Sequence, residues 1–174
     1  MTQLRISITK GRASDHIEIE RTNGDLFRFD FPKKGPIPHD AVHYFVERAL
    51  SMKSGFWGMV AAGTAPDDVQ DIAKAGGHAS AKRAGIPDAK IVELLQAERI
   101  VECFEADAWS APASGETFRG VVEAACACSF VAAPTLADTA IERIRSDIAD
   151  FAQKWRAAPI GAQFDFEFDS AFAD

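Results

Sequence analysis

Two phenylalanine triplets at alternate positions constrain this chain more than any other feature. Phe27, Phe29 and Phe31 alternate with Arg28 and Asp30, and Phe164, Phe166 and Phe168 alternate with Asp165 and Glu167. A period of two places every ring on one face of a strand and every charge on the other. Each triplet therefore demands an apolar layer to lie against. Leu4, Ile6 and Ile8 alternate with Arg5, Ser7 and Thr9 in the same way, and Ile17 and Ile19 with His16, Glu18 and Glu20. Asn23-Gly24, whose residues tolerate the positive φ of a tight hairpin, separates the second run from the first phenylalanine row. The N-terminal segment thus reads as a three-stranded meander. The economical arrangement adds the Phe164–Phe168 strand to it, so that both ends of the chain share one antiparallel sheet.

Helical patterns fill the interval. Pro32, Gly35, Pro36 and Pro38 make a stiff connection, and a helix is predicted to begin near Pro38, where a missing N–H costs nothing. Val42, Phe45, Val46, Ala49 and Leu50 give it one apolar stripe, ending near Ser54-Gly55. The apolar, glycine-rich segment Gly55–Gly63 fits a loop or a short helix equally well. Thr64-Ala-Pro-Asp67 opens a mostly polar helix that Gly76-Gly77 interrupts. Ile86-Pro87-Asp88 opens a stronger one, with Ile91, Leu94, Leu95, Val101 and Phe104 on its apolar side up to about Trp109. The nearly all-apolar run from Phe118 to Ala133 predicts a helix buried on most of its circumference. Pro134-Thr135 ends that helix and caps the last, whose stripe is Ala140, Ile144, Ile148, Phe151 and Trp155. The expected class is α+β: an antiparallel sheet of the N-terminal meander plus the C-terminal strand, packed on one face by about five helices, with residues 1–174 as one domain.

Charge narrows the partners. Against 19 basic residues stand 26 acidic ones, a net charge of −7 without a basic cluster. Such a chain repels phosphate backbones, so nucleic acid is not an expected partner. No apolar run approaches the ~20 residues of a membrane-spanning helix, so no membrane partner is expected either. The opening residues alternate like a strand and lack the apolar block of a signal peptide. Cys103, Cys126 and Cys128 are an odd number at no metal-like spacing, which fits a reducing cytoplasm. A small-molecule ligand and a homo-oligomer stay open as partners.

One constellation carries chemistry: His39-Asp40-Ala41-Val42-His43, with Glu47 following. Positions 39, 43 and 47 stand one above another on a helix. Asp40 lies beside Glu47, and Val46 and Leu50 flank the arc on its apolar side. Imidazoles at this spacing can grip one divalent ion such as zinc, and a neighbouring carboxylate can add a ligand or take a proton from bound water. The pattern resembles the His-Glu-x-x-His helix of zinc peptidases, with Asp40 in the place of their glutamate. The His39-Asp40 doublet is also similar to the paired ligands of the HD phosphohydrolases. The first resemblance implies His39 and His43 as metal ligands and Asp40 as the catalytic carboxylate, and the second implies His39 and Asp40 as ligands, in a metal-dependent hydrolase. The helix face itself offers Glu47 as a catalytic carboxylate.

A plainer reading stands beside it. A proline-initiated helix favours an acid in its first turn, which explains Asp40 without a metal. Histidines at the edge of an apolar stripe are commonly hydrogen-bonded structural residues, and the chain is then a non-catalytic binding or assembly module. Glu123 is the one charge between Arg119 and Asp138 in the most apolar helical run. If buried it needs a partner, either Arg119 four residues earlier or the metal of His39 and His43, as its third ligand. His78 competes for that third position, although its polar setting after Gly76-Gly77 favours an exposed side chain. Cys126 and Cys128 read as small buried hydrophobes. Gly55–Gly63 lacks the Lys-Ser/Thr of a phosphate loop, and its Phe56-Trp57 suit core packing, a lip over a pocket or an oligomer contact. No Gly-x-Ser-x-Gly and no dinucleotide fingerprint occurs.

Overall fold

The computed structural model describes residues 3–76 and 86–169. Four strands, β1 (Gln3–Thr9), β2 (Ser14–Arg21), β3 (Leu26–Pro32) and β4 (Gln163–Asp169), form one antiparallel sheet in the order β3-β2-β1-β4. The α+β class and the pairing of the two ends are as the alternation requires. Opposite partners share a face: Ile6 faces Ile19 on one side and Phe166 on the other, and Ile17 faces Phe29. All the apolar rows therefore fall on one side of the sheet. Gly24, at φ +90°, makes the hairpin turn between β2 and β3.

Six helices follow β3: α1 (His39–Ala49), α2 (Phe56–Ala61), α3 (Pro66–Ala75), α4 (Val92–Trp109), α5 (Gly115–Cys128) and α6 (Asp138–Ala157). The helix beyond the expected five is α2, from the segment whose pattern had fitted loop and helix alike. A single 3₁₀ turn, Ala89–Ile91, leads into α4, and Asp88 caps it by accepting from the Lys90 N–H. Two apolar clusters make the core. One joins the sheet to Ala41 and Tyr44 of α1, to α2, and to Phe151 and Trp155 of α6. The other joins Val42 and Val46 of α1 to α4, α5 and the first half of α6. Helix α1 thus belongs to both clusters. It is buried on several sides rather than along the single stripe expected, because the sheet covers one side and α4 another.

The structure corrects three expectations on and around α5. Only Phe118, Val122 and Cys126 of that helix are buried, four residues apart, because its main packing partner is α4. Val121 and Phe130 are about half exposed, and Cys128 is exposed, unlike Cys103 and Cys126. Pro134-Thr135 lie in an extended connection, and α6 begins after Ala137. The polarity of α5 misled because alanine and glycine count as apolar in a sequence yet bury too little surface to demand cover.

Strand β4 sets the first test. Phe168 is buried, while Phe166 is partly buried against the rings of Tyr44, Phe45 and Phe151. Phe168→Ala should cost about 3–5 kcal/mol. Glu167→Ala, on the solvent face, should cost less than about 0.5 kcal/mol. Denaturant titration of both variants checks this, and equal midpoints would show that the faces of the strand are reversed.

Candidate metal centre

Helix α1 starts directly after Pro38, so its first turn carries His39 and Asp40 and its second His43. Four-residue spacing stacks His39, His43 and Glu47 along the helix, and the two imidazole rings meet edge to face with centroids 4.8 Å apart. Helix α4 crosses α1 here and brings two acids of its own, Glu98 and Glu105, seven residues apart on one face. His39 Nε2 lies 3.7 Å and His43 Nε2 3.4 Å from the same atom, Glu98 Oε2. One potential ligand atom from each of His39, His43 and Glu98 lies within 4.8 Å of the others. Nitrogen ligands at ~2.0–2.1 Å from a tetrahedral zinc are about 3.4 Å apart, a spacing that the 3.4 Å and 3.7 Å contacts to Glu98 approach.

The far side of each ring is also held. His43 Nδ1 lies 3.0 Å from Glu47 Oε1, and His39 Nδ1 2.9 Å from Glu105 Oε1. A carboxylate at Nδ1 holds each ring in orientation and leaves its Nε2 turned toward Glu98. Glu47 has no exposed surface, and its second oxygen accepts the backbone N–H groups of Trp57 (2.9 Å) and Gly58 (3.2 Å) at the start of α2. The Trp57 indole N–H donates to the Asp40 carbonyl. A Cβ on Gly55 would lie 2.5 Å from Glu47 Cδ. The run Gly55-Phe-Trp-Gly58 is therefore shaped to receive one carboxylate.

Burial and charge act against each other in this cluster. Burial of His39 disfavours its charged form, but hydrogen bonds to Glu105 and Glu98 outweigh it and push its pKa up to about 9. His43 is likewise opposed by burial, and Glu98 and Glu47 hold its pKa well above the ordinary range. Burial raises the carboxyl of Glu47 despite the His43 contact, and burial raises that of Asp40 against the pull of His39 and His43. Asp40 Oδ2 is buried with no hydrogen-bond partner.

Of the residues singled out in the sequence, His39, His43, Glu47 and Asp40 come together. Glu123 does not. It is exposed on α5, and Arg119, its expected partner, instead pairs with Asp138 at 2.5 Å. His78 lies outside the described residues. Sequence reasoning missed Glu98 and Glu105. The signal was present for Glu98, a charge set inside the apolar stripe of Leu94, Leu95 and Val101. His39 and Glu105 also line a cleft of about 940 Å³ between the β3–α1 connection, the end of α4, and α6. Among the described residues no helix is long and apolar enough to cross a membrane. Comparison with protein-family models, with curated proteins and with solved structures finds no match for this chain.

Because Gly55 abuts Glu47, Gly55→Ala should destabilise by about 1–3 kcal/mol through overpacking. Gly120→Ala, where a Cβ meets nothing within 4 Å on exposed α5, should be neutral or slightly stabilising. Glu47→Ala strands a buried imidazole and should cost about 3–5 kcal/mol. Chemical denaturation of the three variants orders them, and a Gly55→Ala protein as stable as the parent would show that the Glu47 pocket is loose.

Proposed function

We propose that His39, His43 and Glu98 hold a divalent transition metal, with zinc the first candidate, and that the protein is a small metal-dependent hydrolase. The observation that supports this reading is the convergence of both Nε2 atoms on Glu98 Oε2 while separate carboxylates, Glu47 and Glu105, hold the two Nδ1 atoms. Two imidazoles and one carboxylate are the protein ligands of a class of hydrolytic zinc sites, whose fourth position is taken by water. A metal so held lowers the pKa of a coordinated water toward neutrality and polarises a substrate oxygen. Glu47, with both oxygens committed, orients His43 rather than moving a proton. Asp40, whose buried Oδ2 is unpartnered, is the carboxylate assigned to proton transfer. The cleft reaches the cluster through His39 and Glu105.

A second reading rests on the same contacts. Protonated His39 and His43 among Glu47, Glu98 and Glu105 form a buried ion cluster that ties α1 to α4, and the chain is then a non-catalytic binding or assembly module. Metal titration separates the two. Isothermal calorimetry on protein made without a histidine tag should show one zinc per chain, lost in His43→Ala and weakened at least a hundred-fold in Glu98→Gln. Absence of zinc, manganese and nickel binding in the parent would leave the ion cluster as the sole account.

The pH dependence follows from the raised histidines. Binding displaces protons, so affinity should strengthen by about ten-fold per pH unit for each proton released, and for His39 this should continue up to about pH 9 rather than level off near 6.5. Without metal the sign is opposite. A raised folded-state pKa gives stability that is complete below the unfolded value near 6.5 and lost as pH rises through about 9. Thermal melts in EDTA should therefore fall between pH 7 and 9.5, while melts in zinc should not.

A further inference from the structure

The cleft beside the centre has a chemistry of its own. Its size, about 940 Å³, is that of a site for a small organic molecule. One wall is the connection between β3 and α1, stiffened by Pro32, Pro36 and Pro38, so that wall is formed before any ligand arrives. At the end of α4, Trp109 lines the cleft with 66% of its surface exposed. Its ring edge lies 3.5 Å from where a Cβ on Gly35 would sit. Phe31, from the edge strand, is a second ring in the same lining. Large rings left open at the rim of a cleft offer flat apolar area at low entropic cost.

The charges there are not balanced in availability. All five carboxylates of the lining are spent on cations of the protein: Asp15 on Lys33, Glu102 on Arg99, Glu105 on His39, and Asp107 and Glu142 on Arg145. Arg145 is saturated, because it also donates to the Ala113 carbonyl. Two cations are left over. Lys34 lies over the Phe31 ring at 5.7 Å and Arg156 donates to the Ala152 carbonyl, and neither makes an ion pair among the described residues.

We infer that this cleft binds a planar aromatic acid, a carboxylate or phosphate ester whose ring lies against Trp109 and Phe31 and whose anionic group meets Lys34 and Arg156. This names the substrate class of the proposed metal centre and rests on that reading only for the reaction that follows binding. A ligand seated there lies beside His39, the one histidine of the centre that lines the cleft.

The test uses the full chain in EDTA with three probes of one shape: 2-naphthoate, 2-naphthyl phosphate and the neutral 2-naphthalenemethanol. Among the described residues Trp109 is the exposed tryptophan and Trp57 and Trp155 are buried, so the fluorescence change that is present in the parent and lost in Trp109→Phe is the one read as ring contact in the cleft. At least one anion should bind ten-fold or more tightly than the alcohol, and the stronger of the two tells whether carboxylate or phosphate is preferred. The double variant Lys34→Gln/Arg156→Gln alters two exposed side chains and should bring anion and alcohol within two-fold of each other, with an unchanged melting temperature. Equal affinity of all three probes for the parent, no binding of any at millimolar concentration, or an anion preference that survives in the double variant would each overturn the inference. Metal calorimetry on the same preparation reads the metal centre separately. Anion selectivity without zinc, manganese or nickel binding sinks the hydrolase reading and keeps the cleft, and metal binding without anion selectivity does the reverse.

Discussion

The carboxylate of Glu47 is the contact on which the arrangement around α1 depends. It is wholly buried and anchored at both oxygens, by the His43 imidazole on one side and by two backbone N–H groups of α2 on the other. An ion taken so far out of water is tolerable only where its hydrogen bonds are nearly complete. That requirement fixes several things at once. It places the start of α2 against α1, it explains why glycine stands at position 55, and it fixes the direction of His43. The cap also works in reverse, because the first N–H groups of a short helix need an acceptor, and the neighbouring helix supplies one.

Glu47 can be buried at all because α1 is the central helix. Tyr44 and Ala41 look toward the sheet while Val42 and Val46 look toward α4, α5 and α6. A helix with apolar neighbours on two sides leaves little arc for solvent, so its polar residues His39, Asp40, His43 and Glu47 are drawn into the interior with it. The acids that answer them come from α4, which packs directly on α1. The cluster is thus a consequence of layer order: the sheet and α4 both need the same helix, and the polar edge of that helix has nowhere else to go.

The sheet was legible because its information is local. Alternation over seven or eight residues names both the strand and its inward face, and two phenylalanine rows needing the same cover bring the ends of the chain together. Half of the centre was legible for the same reason, since four-residue spacing on a helix is also local. Glu98 and Glu105 were not read because the partner of an acid on α4 is fixed by how α1 and α4 cross, which no spacing along the chain reports. Glu123 drew the argument that belonged to Glu98. Both are charges in apolar helical runs, but at three and four residues' distance Glu123 has Gly120, Cys126 and Ala127 on a helix with one main partner, whereas Glu98 has Leu94, Leu95 and Val101 on a helix packed between others. Side-chain volume, and not apolar count, separates a buried face from an open one.

The electrostatics of the cluster bear on which proposed state it serves. Glu47, Glu98 and Glu105 surround two imidazoles in a setting where burial disfavours every charge. Burial opposes charge on both rings, but the surrounding carboxylates outweigh it, raising the pKa of His39 to about 9 and that of His43 well above its ordinary range. One divalent cation held by His39, His43 and Glu98 would carry the same formal charge as two protons lost from the rings. Such an exchange would leave the net charge of the buried cluster unaltered. An imidazolium donates from both ring nitrogens, so with each Nδ1 on Glu47 or Glu105 the two Nε2–H groups share Glu98 Oε2 in the ion cluster, and a metal would take the same two nitrogens once they are deprotonated. The convergence therefore serves protons or a metal alike, and the two proposed states compete for one pair of nitrogens.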